Sequence, residues 1–237
     1  MTTADPTREL VVARYAEDLR WLGRVSKDIR RSVYDKGDGS SGGLRLPNEG
    51  REAHTYLHHI VSRYETLSGI TFFSQGKPFD HVPDFHRILR EETPASLPAH
   101  GFRWYSFLVD RDDAEGSLLF QAWSKNGEKR PLPLRAFFRR LWDAEPPAFV
   151  VFYAGAHFAV TAEAIRRHPK SFYERALHVS LELPDAAHCF ERCWDRVFGV
   201  DGIPSEVRNA PLPRYFKPIR RLMDAGLQES PMGASGE

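Results

Sequence analysis

Apolar and polar positions alternate along this chain in two distinct rhythms. Leu10 to Arg14 ("LVVAR") is a short apolar run ending on a charge, and Ile70 to Phe73 ("ITFF") is another. Runs of this length bounded by polar residues predict strands buried on both faces. "IRRSVYDKG" predicts a further strand ending at Asp35, and a short helix is expected from Glu17 between the two. Ala53, Tyr56, Leu57, Ile60, Val61 and Tyr64 recur at helical spacing, so an amphipathic helix precedes Ile70, with Asn48 as its expected N-cap. On that helix His58 and His59 are expected on the polar side. The resulting order, β-α-β-α-β, predicts a mostly parallel, twisted sheet flanked by helices.

The second half is less regular. "FRWYSFLV" and "SLLFQAW" predict two strands around "DRDDAEG" as a hairpin loop. "PLPLRAFFRRLW" predicts a helix, and "AFVVFYAGAHFAV" one apolar strand broken at Gly155. Thr161 is placed to N-cap the helix that follows. "AAHCFERCWDRVFG" predicts a helix stopped at Gly199, with Cys189, Phe190, Cys193, Trp194, Val197 and Phe198 inward. The expected division is a disordered N-terminus over 1–8, one α/β domain over 9–212 with a mixed C-terminal part, and a partly disordered extension over 213–237.

Composition narrows the classes. The 237 residues are 41% apolar, enough for a core, with 33 Lys+Arg against 32 Asp+Glu and a formal net charge of +1. That balance gives no electrostatic case for a nucleic-acid partner. No run approaches the ~18 apolar residues of a membrane span. "MTTADPTREL" lacks the basic and apolar regions of a secretory signal. The two cysteines sit one helical turn apart in an apolar stripe, as buried thiols do in a reducing compartment. A cytoplasmic protein is expected.

Candidate chemistry clusters where strands release polar groups, the usual position of ligand crevices in open α/β sheets. Tyr15, Glu17 and Asp35 follow the first two strands, where an acidic group suits a ribose or base hydrogen bond; the bland alternative is capping and turn formation. Asn48 and Arg51 open the long helix, where free N–H groups and a guanidinium favour phosphate. "SQGKPFDH" delivers Gln75, Gly76, Lys77, Asp80 and His81 after the third strand. His54 and His58, four apart, can place two imidazoles on one metal together with Asp80 and His81, although surface histidines are the plainer account. Asp110 and Asp112 form a literal D-x-D that could hold Mg²⁺ or Mn²⁺, or simply make a polar hairpin tip. Glu191 lies off the apolar stripe of the last helix, where a carboxylate can take a proton from a hydroxyl. Neither a dinucleotide fingerprint, a Walker loop nor a nucleophile-elbow motif is present.

"VVARYAEDLRWL", "VYDKG", "LPNEGREAHTYLHHIVSRYETL", "TFFSQGKPFDH", "GAHFAV", "HPKSFYERAL" and "ERCWDRVFG", in that order, resemble the uncharacterised family designated domain of unknown function 3431. The likeness runs from about Glu9 to Gly199. The order of elements is also similar to the first half of a GT-A glycosyltransferase, a Rossmann-like fold. That similarity implies a nucleotide-sugar donor bound by Tyr15, Glu17, Asp35, Asn48, Arg51, Gln75, Gly76 and Lys77. It implies an acceptor hydroxyl near Gly155, His157 and Arg192, with Glu191 as base and Asp80 as a further catalytic group. It also places the metal-binding D-x-D positions on Gln75, Gly76 and Lys77, none a good Mg²⁺ ligand. Asp80 and His81 as ligands for Mn²⁺ or Mg²⁺, a metal-independent site using Lys77, and a site that no longer transfers sugar all remain open. His157 stands where this pattern expects a glutamine. A metal-dependent hydrolase or oxygenase on the His/Asp cluster, and a non-catalytic nucleotide or carbohydrate binder, are the competing classes.

Overall fold

The computed structural model describes residues 7–118 and 131–216. Three strands form where apolar runs are expected: β1 (Arg8–Arg14), β2 (Arg30–Asp35) and, after a two-residue β3 (Leu44–Arg45) and helix α1 (Arg51–Arg63), β4 (Ile70–Gln75). β1 pairs in parallel with β2 on one side and β4 on the other. Leu10, Val11, Val12, Ile70, Phe72 and Phe73 are fully buried, because helices cover both faces of the sheet. The first crossover is a short 3-10 turn over Arg20–Arg24, not the helix expected from Glu17. It contains Gly23, which favours no helix, and buries none of its residues.

α2 (Phe85–Glu91) covers one face, packing Phe85, Ile88 and Leu89 on Leu10, Val12 and Phe72. The chain then departs from its expected course. "FRWYSFLV" divides into β5 (Phe102–Trp104) and β6 (Leu108–Asp113), which join different sheets. Asp110 and Asp112 therefore lie inside β6, not at a hairpin tip. Of the strand expected over "SLLFQAW", Ser117 and Leu118 form a turn, and the rest lies outside the described residues. α3 (Leu134–Trp142) forms as expected, with Pro133 at its N-cap. "AFVVFYAGAHFAV" likewise divides into β7 (Phe149–Tyr153) and β8 (Phe158–Thr161). Gly155 (φ 103°) and Ala156 (φ 54°) turn the chain between them. Thr161 caps α4 (Ala162–Ile165) as expected, its Oγ1 accepting from the Ala164 N–H at 3.1 Å.

α5 (Lys170–Glu182), α6 (Ala186–Val197), α7 (Ser205–Arg208) and β9 (Arg214–Tyr215) complete the chain. Gly199 follows α6 at φ 64°, as its C-cap role requires. Among the described residues the main sheet has the order β3-β2-β1-β4-β8-β5, with β8 antiparallel to its neighbours. A smaller antiparallel sheet has the order β7-β6-β9. This is a single α/β body with a six-stranded, mostly parallel sheet flanked by helices. α1, α3, α5 and α6 share one apolar core with the sheet, built around Tyr56, Phe158, Trp194 and Phe198. Cys189 and Cys193 are buried free thiols within it. β1 begins at Arg8, within the segment expected to be disordered, and β9 lies past residue 212; residues 1–6 and 217–237 lie outside the described ones. Among the described residues no helix is long and apolar enough to cross a membrane.

Candidate functional site

The chain leaves β1 toward β2 on one side and later returns to β4 on the other. Connections that diverge this way open a crevice at the carboxyl ends of the strands. A cavity of about 300 Å³ lies there. Ala13 and Arg14 from the end of β1, Lys36 just past β2, and Gln75 at the end of β4 form its floor. Asn48, Arg51 and Glu52 close it from the start of α1, and Tyr15 and Glu17 from the loop after β1.

Arg14 is held from four directions. It donates to Asp35 at 2.6 Å, Asp38 at 3.0 Å, Ser40 at 2.9 Å and the Glu17 carbonyl at 3.1 Å. Asp35 is itself fully buried and accepts from the Gly37 N–H and the Ser41 hydroxyl. Burial alone would raise its pKa, but these donors and Arg14 bring it down to about 2. It shapes the Gly37–Gly43 loop from below and does not line the cavity. Glu17 accepts from the Tyr15 and Ala16 N–H groups at 2.7 and 3.2 Å, which fixes the loop. Gly76 packs close beside it, a Cβ there standing 2.7 Å from Glu17 Oε2 and 3.0 Å from Glu17 Cβ. The Tyr15 ring stays 56% exposed at the rim.

Lys36 is only 6% exposed. It donates to the Glu49 carbonyl and lies 2.9 Å from His54 Nδ1. Burial pulls its pKa down to about 8, against the opposing pull of Glu52 and Glu49. Burial and Lys36 together pull His54 down to about 4, so His54 accepts as a neutral ring. The α1 N-terminus is unusual. Its cap is Gly50 at φ 59°, not Asn48, and no side chain caps it. The first helical residue, Arg51, also has a positive φ of 49°. Asn48 is displaced because the two left-handed residues turn the chain between it and the helix, which leaves it on the cavity wall. The Arg51 side chain is 62% exposed and stands 3.7 Å from the Glu52 carboxylate. The Arg51 guanidinium and the start of α1 thus line one space.

Glu52 in this wall and Glu191 behind it are pushed in opposite directions. Burial raises the pKa of Glu52, and nearby Glu191 raises it further, with Arg51 opposing. Burial would also raise Glu191, but His188, Arg192 and the Gly155 N–H outweigh it and bring it to about 2. Glu191 accepts from Gly155 N–H at 2.5 Å, and its other oxygen lies 3.5 Å from Arg192 and 3.7 Å from His188. It makes no surface pair with Asp195, whose carboxylate is buried and accepts from the Arg196 and Gly202 N–H groups.

Tyr15, Glu17, Asn48, Arg51 and Gln75 are brought together at the cavity, while the remaining predicted residues fall elsewhere. Lys77 and Asp80 form an exposed ion pair at 3.1 Å. His81 turns inward, stacking on Phe107 at 5.8 Å and lying 5.6 Å from the fully buried His157. Gly155 permits this contact, since a Cβ would come 2.6 Å from the His81 ring. Arg192 is 1% exposed and donates to Asp112 at 2.7 Å, so both belong to a buried pair between α6 and β6. His58 packs against Tyr34, whereas His59 is fully buried between Tyr34 and Glu9, not on a polar side. Among the described residues no three His, Cys, Asp or Glu side chains converge as a metal site requires. The residues at the expected D-x-D positions do not fit a divalent cation either. Arg14, Lys36 and Glu52 are cavity residues that pattern alone did not single out. Their signal is position, one residue before or after residues that were.

The fold and crevice define an α/β protein with a polar, cation-lined pocket at its topological switch point. Residues 10–210 match the family described as protein of unknown function (DUF3431), and the chain belongs to that family. No curated protein matches it.

Proposed function

We propose that the chain is a GT-A-like glycosyltransferase, which takes a nucleoside diphosphate sugar into the crevice and passes the sugar to an acceptor hydroxyl. One observation carries this reading: Tyr15, Asn48, Arg51 and Gln75 share a cavity with Lys36 and the uncapped start of α1. An exposed ring at the rim suits a nucleobase. Two cations and the positive end of α1 further in suit a diphosphate and stabilise it as it departs.

In the transfer, the bond from the sugar's anomeric carbon to the diphosphate oxygen breaks, and one to the acceptor oxygen forms. The acceptor proton must pass to a base. Glu52 is the better placed of the two carboxylates, because it lines the cavity and its raised pKa makes it the stronger proton acceptor. Glu191, ionised at any physiological pH, holds the Gly155 turn and keeps negative charge behind Glu52. No step is assigned to a metal.

The test is calorimetric titration with UDP, GDP, CMP, dTDP and ADP and their sugars, each with EDTA, Mg²⁺ or Mn²⁺. Binding of one nucleotide that Arg51→Ala weakens supports the reading. Wild-type protein that ignores every nucleotide in every condition ends it. With the donor known, Glu52→Gln is expected to keep nucleotide binding and lower turnover about 100-fold, the usual contribution of a general base. Binding without any product in the wild type would mean a nucleotide-binding protein instead.

A further inference from the structure

A larger cavity, about 910 Å³, lies beyond Glu17, which lines both spaces. Its floor is aromatic. The Trp21 ring meets Phe79 at 5.6 Å and His86 at 6.0 Å, and Phe79 and His86 stand 4.9 Å apart. These rings are fixed in place. Trp21 Nε1 donates to the Gly76 carbonyl at 2.8 Å, and His86 Nε2 lies 3.1 Å from the Trp21 carbonyl. The floor is therefore tied to the end of β4, where the donor cavity also begins.

The rim is basic. Arg20 and Arg24 come from the turn after β1, Lys77 from the loop after β4, and Arg87 and Arg90 from α2. Glu17 and Asp18 are the acidic members of the lining. Three of the cations already have partners: Arg20 with Asp18, Lys77 with Asp80, and Arg87 with Asp84 and Glu91. Arg24 and Arg90 are exposed and make no ion pair among the described residues. The paired cations are balanced by their carboxylates, so the charge that the groove offers an anion is that of Arg24 and Arg90.

Ring faces under a guanidinium rim suit a chain of sugars that carries carboxylate, sulfate or phosphate groups. Sugar C–H faces stack on aromatic rings, and guanidinium forks take the anions in bidentate fashion. We infer that this groove binds an anionic oligosaccharide and, on the glycosyltransferase reading, presents it as the acceptor at the mouth of the donor cavity.

The test is titration of the whole protein with oligoglucuronate, a sulfated oligosaccharide, a neutral glucan of equal length and a single-stranded DNA oligomer. The anionic sugars should bind, the neutral one should not, and affinity should fall as salt rises. Arg24→Glu with Arg90→Glu should weaken anionic-sugar binding about tenfold or more, since rim charges govern such encounters. Both side chains are exposed and unpaired, so unchanged circular dichroism and melting are expected. Equal binding of the neutral glucan, no binding of either anionic sugar, or no change in the double variant would overturn the inference. Tighter binding of DNA would overturn it in favour of a nucleic-acid surface. Nucleotide titration of the same variant separates the two proposals. Retained nucleotide binding with lost oligosaccharide binding isolates the groove. Oligosaccharide binding by the wild type with no nucleotide response removes the donor reading and leaves the groove standing.

Discussion

Lys36 concentrates the electrostatics of the crevice in one side chain. It is nearly buried, faces Glu49, Glu52 and His54, and has a pKa lowered from 10.5 to about 8, chiefly by burial. Between those two values the unfolded chain holds a proton that the folded chain has released. Stability contributed by this group therefore rises with pH across that window, and the buried charge costs stability below it. Lys36→Met should remove this slope. The unfolding free energy of wild type minus variant, from urea titrations at successive pH values, is expected to climb between pH 8 and pH 10. A bound anion favours the protonated amine, so nucleotide affinity of the wild type should weaken as pH passes about 8, while that of the variant stays flat. A flat difference in stability would mean that Lys36 titrates normally in the fold. Lys36 itself was hard to find in the sequence, because a lysine after a strand reads as a solvated end. Tyr15, Arg51 and Gln75 were legible because strand ends and helix starts are where polar groups must leave the sheet.

At the scale of elements, the start of α1 shows how local geometry builds the site. Gly50 takes a left-handed conformation, and a Cβ there would come 2.7 Å from His54 Cβ and 2.8 Å from the Ser180 carbonyl. Gly50→Ala is therefore expected to cost about 1–3 kcal/mol in urea denaturation, since it combines a positive φ with overlap against backbone. Sequence periodicity located α1, β1 and β4 because each buries a continuous apolar face, whereas β2, which buries Ser32, Tyr34 and Asp35, was legible from the polar turn that ends it. It failed at β5/β6 and β7/β8 for a physical reason. Tyr105 to Phe107 carry no glycine or proline to mark the break, and Gly155 looks like a flaw in one strand when it turns the chain from the small sheet into the large one. The same change of sheet hides the Asp112–Arg192 pair, whose members lie 80 residues apart and meet only when α6 packs on β6 and β7. Arg192 also lies 4.5 Å over the Phe152 ring. Arg192→Leu should cost about 3–5 kcal/mol, because it strands the Asp112 carboxylate in the interior. Adding Asp112→Leu should recover much of that loss, with both measured by the same denaturation.

The whole molecule divides its labour between two halves of one sheet. The parallel strands β1, β2 and β4 open the crevice, while β8, the small sheet and α6 bring Gly155 and Glu191 up behind it. A ligand in the crevice touches the parallel half, and because it binds the folded chain alone its free energy should appear in global stability. On the proposed reading, the cognate nucleotide at 100 times its Kd stabilises the fold by about 2.7 kcal/mol. For a chain of this length that is a rise in Tm of roughly 5–10 °C. Arg51 connects this linkage to strain. A non-glycine residue at φ 49° is held in an unfavourable conformation, and its guanidinium is mostly solvent-exposed without a ligand. Arg51→Gly relieves the backbone and removes the charge together. The free protein is expected to melt higher than wild type and the nucleotide-induced rise to shrink. Arg51→Ala removes the charge but keeps the strain, so it should lose the nucleotide response without the gain in the free protein. If Arg51→Gly melts lower than wild type, the left-handed start of α1 is supported by the Arg51 side chain, and the strain does not serve ligand binding.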